Sequence, residues 1–233
     1  MNLLVDAGNT SIKFALESQQ KILRVSEEEA LSQLANIEAV IVSKVKEYDV
    51  LDNIKTNFIN FGKPFIVASV SKKHSGVTCG YNNIKNLGID RWVAVIGACR
   101  LYPNRNLVVV DAGTAMTIDA IVDSQNHLGG WIVPGLSLMK QSIEQKAPLV
   151  FSSNESAIEE FGTDTPSALE NGCILTLIGS IEKAVNLLKS DYNSQNIMVL
   201  LTGGDAQTLS KRLLIEHALE PDLIFHGLSE YTK

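Results

Sequence analysis

The sequence has few of the features that mark secreted, membrane or nucleic-acid-binding proteins. Its three cysteines, Cys79, Cys99 and Cys173, are odd in number and widely spaced, with neither a C-x-x-C pair nor a metal-like pairing with histidine. The formal net charge is −6 and no long basic run occurs, which argues against nucleic acid or an anionic membrane as the main partner. No apolar run approaches the length of a membrane span, and no basic region precedes Asp6. We therefore expect buried free thiols, a cytoplasmic location, and partners that are neither membrane nor nucleic acid.

The chain instead has ample apolar material and one motif that occurs twice. Of its 233 residues, 45% are hydrophobic, enough for one large globular domain or two small ones. The two copies are Leu4-Val5-Asp6-Ala7-Gly8-Asn9-Thr10 and Val109-Val110-Asp111-Ala112-Gly113-Thr114-Ala115. In each copy an apolar run ends in Asp, a Gly and small polar residues follow, and a second apolar run begins. The pattern predicts strand, tight turn, strand.

This repeated turn has the residues that a phosphate site needs. Glycine allows positive φ and close approach of a ligand, the N–H groups and hydroxyls can hold phosphate oxygens, and the Asp can face a hydrated cation. Two ordinary hairpins are the alternative, since Asp and Gly commonly form turns. The repetition favours phosphate binding and predicts one nucleotide cleft between two related halves.

The predicted secondary structure also repeats. Three strands, a helix and a buried strand are predicted at Leu3–Val5, Ile12–Leu16, Ile22–Val25, Glu27–Leu34 and Ala39–Val42. The second half restarts with strands at Leu107–Val110, Met116–Ile121 and His127–Ile132, and a helix at Leu136–Gln145 follows. Further along, the pattern predicts a long helix over Ser167–Leu188 with one apolar side, which has the length of a core or dimer helix. Leu223–Phe225 is predicted to be the strand that closes the sheet. Ser69–Asn86 is predicted to be an irregular substrate or lid loop.

A second candidate site begins a helix at Gly88-Ile89-Asp90-Arg91. The positive end of the helix dipole favours an ionised Asp90, which can orient or deprotonate a substrate hydroxyl. The Arg91 guanidinium can hold a carboxylate or phosphate through two parallel hydrogen bonds. An acidic first turn beside a surface arginine is the structural alternative.

Two further turns are candidates for close approach to a ligand. Residues 129–135, Gly-Gly-Trp-Ile-Val-Pro-Gly, join a strand to a helix, and Thr202-Gly203-Gly204-Asp205 does the same after strand Ile197–Leu201. For residues 129–135, a simple connection whose glycines satisfy turn geometry is an equally good explanation.

Four of these motifs, taken in order and spacing, resemble the type III pantothenate kinase family. They are residues 6–10, 88–92, 111–119 and 129–135, and the resemblance covers nearly the whole chain. Ala7, where the family more often has Val, changes no chemistry. The family belongs to the superfamily of acetate kinase, sugar kinases, heat-shock chaperones and actin. The resemblance therefore implies an α/β fold with two related ribonuclease H-like halves, mixed sheets and an actin-like architecture, divided here as 1–86 and 87–233.

The resemblance assigns the nucleotide side of the reaction to both repeated turns. The ATP-phosphate residues it implies are Asp6, Ala7, Gly8, Asn9, Thr10, Ser11, Ile12, Lys13 and Thr114. Asp6 would act on Mg²⁺ indirectly, and Lys13 would lie near the phosphates. Asp111 would hold a monovalent cation, K⁺ or NH₄⁺.

The acceptor side is implied in the same way. Asp90 matches the proton acceptor for the pantothenate hydroxyl, within a pantothenate site formed by Gly88, Ile89, Asp90 and Arg91. Tyr81 matches a further pantothenate contact. Thr165 matches another, which the family supplies across a homodimer interface. The implied activity is ATP-dependent phosphorylation of the primary hydroxyl of pantothenate, the first step of coenzyme A biosynthesis.

Two other functions fit the same scaffold. One is a kinase for a different small metabolite, because phosphate loops alone do not specify the acceptor; Arg91 and Tyr81 favour pantothenate. The other is a non-catalytic transcription accessory factor. The presence of Asp6, Asp90 and Asp111 disfavours an inactive site, and the lack of a basic stripe disfavours direct DNA binding.

Overall fold

The computed structural model describes residues 1–153 and 161–232, which fall into two compact units. Unit 1 contains residues 1–105, 121–129 and 222–233, and unit 2 contains residues 106–120 and 130–221. The units divide the chain differently from the predicted halves 1–86 and 87–233. The helix that follows residue 88 belongs to unit 1, whose first stretch runs to residue 105, and the chain returns to this unit at residues 121–129 and again from residue 222.

The strands and helices of the described residues are as follows. The strands are β1 (Asn2–Ala7), β2 (Ile12–Ser18), β3 (Lys21–Val25), β4 (Ala39–Lys44), β5 (Phe65–Val67), β6 (Lys73–His74), β7 (Val77–Thr78), β8 (Asn106–Ala112), β9 (Ala115–Val122), β10 (Asn126–Pro134), β11 (Ile197–Thr202) and β12 (His217–Leu219). The helices are α1 (Glu27–Ser32), α2 (Asp49–Asn60), α3 (Ile89–Leu101), α4 (Leu136–Lys146), α5 (Thr165–Asp191), α6 (Ala206–Ser210) and α7 (Leu223–Leu228).

The two sheets share one strand order, which confirms two related halves with mixed sheets. In the first sheet the order is β3, β2, β1, β4, β5; β1 pairs antiparallel with β2 and parallel with β4, and β4 pairs parallel with β5. In the second, β10, β9, β8, β11 and β12 follow the same order, with β8, β11 and β12 parallel. Both predicted hairpins, β1–β2 and β8–β9, pair adjacent strands. Each therefore places its Asp-Ala-Gly turn at the end of a central strand.

Alternation along β1 and β4 divides the core of unit 1 between the two faces of the sheet. Leu3, Val5 and Val42 pack on one face with helices α1 and α2. Leu4 and Ile41 pack on the other face, in a cluster that includes residues of α3 and α7. A period of two residues is what a strand buried on both faces requires.

The predicted closing strand Leu223–Phe225 is wrong, because these residues begin α7. Leu223, Phe225 and Gly227 are buried, and α7 packs on α3. A Cβ at Gly97 would lie 2.1 Å from the Leu223 carbonyl oxygen, and one at Gly227 would lie 1.9 Å from the Val93 carbonyl oxygen. Glycine on both helices allows the backbones of α3 and α7 to come this close. The apolar residues Leu223–Phe225 resemble a strand in sequence, but packing against α3 stabilises them as a helix. The closing strand is β12.

The segment Ser69–Asn86, predicted to be irregular, contains a short hairpin. Strands β6 and β7 pair antiparallel around Ser75 and Gly76, both of which have positive φ. Asn126 at the start of β10 pairs with Thr78 of β7. A two-residue turn with positive φ at both positions favours tight hairpins, and this one precedes the candidate acceptor residue Tyr81.

Two compositional predictions can be compared with the structure. All three cysteines are buried free thiols, as predicted, and burial raises the pKa of Cys99 to about 12. Across residues 1–153 and 161–232, no helix combines the length and apolar composition needed to span a membrane.

Candidate active site

The first predicted phosphate loop begins at a buried carboxylate. Asp6 at the end of β1 is 7% exposed, and the hairpin register places it opposite Lys13 of β2. The Lys13 Nζ lies 3.9 Å from the Asp6 Oδ2, and the Lys13 side chain is 49% exposed. An ion pair this long and this exposed adds little to stability. The pair therefore does little to hold the hairpin together, and the exposed Lys13 ammonium is accessible to a ligand.

The backbone of this loop is held in place by the segment that follows β4. The Ala7 carbonyl accepts hydrogen bonds from the amides of Val45 at 2.9 Å and Lys46 at 3.2 Å. The Tyr48 hydroxyl donates to the Gly8 carbonyl at 2.9 Å. These contacts fix two carbonyl groups of the loop. Sequence reasoning missed them, because only the pairing of β1 with β4 brings residues 45–48 to the loop.

The predicted acceptor residues lie at the start of α3. Gly88 is the residue before the first turn, and the Asp90 carboxylate folds back to accept a hydrogen bond from the Arg91 amide at 2.8 Å. A Cβ at Gly88 would lie 2.5 Å from Asp90 Oδ1. Glycine therefore leaves room for this carboxylate conformation, which the helix N-terminus also favours when it is charged.

Arg91 is a buried residue, which contradicts the alternative of a surface arginine. It is 7% exposed, and its guanidinium donates to the Tyr81 hydroxyl at 2.9 Å. The Tyr81 ring stacks on His127 with centroids 6.0 Å apart, and Trp92, fully buried, lies 6.3 Å from the same imidazole. The structure thus brings together Tyr81 and Arg91, which were predicted separately. His127 was not predicted as part of the site.

The second predicted phosphate loop is packed against the turn that follows β11. Asp111 pairs in register with Thr202, and a Cβ at Gly203 would lie 2.5 Å from Asp111 Oδ1. Gly203 has a φ of +92°, a backbone conformation that residues with a side chain rarely adopt. The Asp205 amide donates a hydrogen bond to the Ala112 carbonyl at 3.0 Å. The glycine leaves a space beside the Asp111 carboxylate that any side chain would fill.

The turn that ends β10 contacts the same loop. The Gly135 amide donates to the Thr114 carbonyl at 3.0 Å, and a Cβ at Gly135 would lie 2.0 Å from the Gly113 carbonyl oxygen. The last residue of the segment 129–135 therefore packs on the second loop, so its glycine serves this close contact as well as the turn. Thr114 itself is exposed.

A charged cluster of unit 2 surrounds Asp205. Lys140 of α4 pairs with Glu170 of α5 at 2.7 Å, and each side chain is largely buried. The pKa of the Asp205 carboxyl lies above its usual value, chiefly because the group is partly buried. Nearby Lys140 opposes this increase and Glu170 adds to it. Thr165 is the exposed first residue of α5, and an Asp164–Ser167 capping box surrounds it.

The donor groups present fit the two ions that the family resemblance implies. Among the described residues, no group of three or more His, Cys, Asp or Glu side chains is arranged to hold a metal. Mg²⁺ in nucleotide sites is held by one or two carboxylates together with phosphates, and the buried Asp6 provides one. For a monovalent cation, the space that Gly203 leaves beside Asp111 is bordered by carboxylate and carbonyl oxygens, which hard cations prefer.

Comparison with known proteins gives the same family along the whole chain. Residues 2–187 match the family model for type III pantothenate kinase. A type III pantothenate kinase of Pseudoalteromonas translucida is 37% identical over 232 residues, covering 98% of this chain and 95% of the relative. One of Acinetobacter baylyi is 31% identical over 247 residues, covering 99% and 97%.

Solved structures share the fold. A Campylobacter jejuni protein assigned as a Baf family transcriptional activator is 27% identical, with a TM-score of 0.57 and coverage of 98% and 96%. A Sinorhizobium meliloti protein assigned as a 2-dehydro-3-deoxygalactonokinase is 12% identical, with a TM-score of 0.56 and coverage of 98% and 97%. The second similarity concerns the actin-like kinase fold alone. On the family match and the full-length relatives, the chain belongs to the type III pantothenate kinase family.

Proposed function

We propose that this protein transfers the γ-phosphoryl group of ATP to the primary hydroxyl of pantothenate, in the first step of coenzyme A biosynthesis. The observation that carries the proposal is the arrangement at the start of α3, in a chain of this family. There a carboxylate lies at a helix N-terminus, and a buried arginine bonded to Tyr81 follows it. The prediction of a cytoplasmic location stays a prediction.

The two charged residues in the first turn of α3, Asp90 and Arg91, have separate tasks. Asp90 accepts the proton of the acceptor hydroxyl and orients its oxygen toward phosphorus. Arg91 binds the pantothenate carboxylate, and Tyr81 fixes the guanidinium so that little side-chain freedom is lost on binding. Gly88 and Ile89 form the adjacent wall of the same site.

On the nucleotide side, both loops act through position and charge. Phosphoryl transfer passes through a loose transition state, so catalysis depends on orienting the groups and stabilising the charge on the equatorial oxygens. Residues 7–12 present backbone amides and hydroxyls to the phosphates, Lys13 adds a positive charge, and Thr114 contacts ATP from the second loop. Bound Mg²⁺ would neutralise phosphate charge beside Asp6, and a cation at Asp111 would add to this.

The Campylobacter structure raises a second candidate, a non-catalytic regulator. This chain has every carboxylate that the kinase proposal needs, and no basic stripe for DNA. A kinase for another hydroxylated acid is the remaining rival. The deciding test couples ADP release to a spectroscopic signal with purified protein, with and without pantothenate. ADP release that depends on pantothenate supports the proposal, and release with another hydroxy acid alone would replace it.

The same assay tests the cation site. We expect potassium or ammonium to stimulate turnover relative to sodium, because an ion beside Asp111 offsets phosphate charge. Asp111→Asn should remove that stimulation and lower the rate by at least about tenfold, the effect of losing one electrostatic contact in a desolvated site. Equal rates in sodium and potassium buffers would refute the cation assignment without affecting the kinase proposal.

We also propose that the active form is a homodimer in which Thr165 contacts pantothenate held by the partner. In unit 2 a cavity of about 290 Å³ between α4 and α5 is lined mainly by apolar groups, including Met139, Ile143 and Leu169. Leu175 on α5 is half exposed. Apolar surface beside Thr165 supports a protein partner there.

A mixed dimer checks this arrangement. Asp90→Asn and Thr165→Arg chains should each be inactive alone. Mixed, they should regain part of the activity, because one of the two sites then combines an intact Asp90 with an intact Thr165. Heterodimers are verified with two affinity tags. Verified heterodimers without activity would place both residues in a site within one chain.

A further inference from the structure

Ser43, near the end of β4, has a buried hydroxyl for which the described residues provide no hydrogen-bond partner. The residue is 0% exposed, and its Oγ is both buried and unbonded. A buried hydroxyl left unbonded costs about 1–3 kcal/mol, a cost that alanine at the same position would avoid. The hydroxyl therefore has a purpose that packing does not explain.

The strand register places this hydroxyl beside the candidate metal carboxylate. Ser43 is the registered partner of Asp6 in the parallel pair of β1 and β4, and Ile41 is the partner of Leu4. Leu4 and Ile41 lie in one core cluster, on one face of the sheet. Because side chains alternate with a period of two, Asp6 and Ser43 lie on that same face, two residues further along.

We propose that Ser43 is a positioning residue that, together with Asp6, binds a water of the hydrated Mg²⁺ that accompanies ATP. The inference rests on the proposed role of Asp6. Mg²⁺ gives up its waters reluctantly and keeps several of them in nucleotide sites, so a carboxylate can hold it through a bound water. A serine hydroxyl can accept from such a water while it donates to a carboxylate, which no apolar residue can do. Lys13, on the other side of Asp6, cannot accept a hydrogen bond.

The test measures metal binding without turnover. Mn²⁺ replaces Mg²⁺, a non-hydrolysable ATP analogue replaces ATP, and Mn²⁺ affinity is followed by water proton relaxation. We expect Ser43→Ala to weaken Mn²⁺ binding about tenfold, as loss of an outer-shell partner commonly does. Ser43→Thr keeps the hydroxyl and should restore most of the affinity. The ligand-free Ser43→Ala protein should unfold at the same temperature as wild type or higher.

Ser124 supplies the matched control, because it is a buried serine of the same unit with a bonded hydroxyl. Its Oγ donates to the Tyr102 carbonyl at 2.6 Å and accepts from the Arg105 amide at 3.0 Å. Ser124→Ala should therefore lower the unfolding temperature and leave Mn²⁺ affinity unchanged. The two serines are expected to respond in opposite ways.

The outcomes separate this proposal from the one it rests on. Asp6→Asn is measured in parallel. If Asp6→Asn weakens Mn²⁺ binding and Ser43→Ala does not, the assignment of Ser43 is overturned and the role of Asp6 survives. If neither variant changes binding, the role of Asp6 fails as well. A folded Ser43→Ala protein with a lower unfolding temperature than wild type would also overturn the proposal, since it would show a hydroxyl bonded within the protein. If Ser43→Ala does not fold, Ser43→Cys takes its place and the same two outcomes decide.

Discussion

Asp90→Asn is expected to lower kcat by about 10²–10⁴, the range for loss of a general base, while pantothenate still binds. Asparagine has nearly the same shape as aspartate, and its side-chain oxygen can still accept the Arg91 amide hydrogen bond seen at 2.8 Å. It cannot accept the hydroxyl proton. The measurement is kcat from the coupled assay together with pantothenate affinity from calorimetry.

Arg91→Gln is the matched comparison, because it removes the neighbouring charge and keeps a polar side chain. This variant should mainly raise KM, since the proposed role of the guanidinium is to bind the acceptor and not to take part in proton transfer. If Asp90→Asn turned over within a few-fold of wild type, Asp90 would lose the role of base, and water or a phosphate oxygen would have to accept the proton.

Gly227→Ala is expected to destabilise the protein by about 3 kcal/mol, at the upper end of the usual effect of overpacking. The new Cβ would lie 1.9 Å from the Val93 carbonyl oxygen, a backbone atom that a side-chain rotation cannot move. Helices α3 and α7 would have to separate. For a chain of this length the loss lowers the melting temperature by about 6–12 °C, which thermal unfolding followed by circular dichroism measures.

The control for this substitution is Gly179→Ala on α5. Among the described residues, no atom outside the adjoining backbone of α5 lies within 4 Å of a Cβ at Gly179, so alanine there adds helix propensity without a clash. It should stabilise the protein slightly. Equal stability of Gly227→Ala and wild type would mean that α7 can move away from α3, and the close helix packing would have no energetic importance.

What the sequence predicted well is local, and what it missed depends on contacts between distant segments. The two Asp-Ala-Gly hairpins were predictable because strand, turn and strand are contiguous. The start of α3 was predictable for the same reason. By contrast, Leu223–Phe225 is apolar enough to form a strand. It is helical because it packs against a glycine of α3. The sequence contains no local signal of that contact.

The candidate site shows the same difference between local motifs and contacts made by distant segments. Asp6, Asp90 and Asp111 belong to short motifs, so the sequence alone is enough to propose them, and their roles stay predictions. The supporting contacts were not, since Tyr48 reaches Gly8 only through strand pairing, and Gly203 reaches Asp111 only through the pairing of β8 with β11. Strand pairing between distant segments positions these supporting groups, and a single sequence does not reveal which distant segments pair.

The packing of Trp92 against His127 also supplies an optical reporter. The chain has two tryptophans, and Trp131 is 38% exposed, whereas Trp92 is buried beside an imidazole that stacks on Tyr81. Replacing Trp131 by phenylalanine leaves Trp92 as the single tryptophan, beside the proposed acceptor residues, and it can be excited selectively over the tyrosines. Its fluorescence then reports on the surroundings of Tyr81 and Arg91 without any chemical label. Occupancy of the acceptor site can thus be titrated even in a variant that does not turn over.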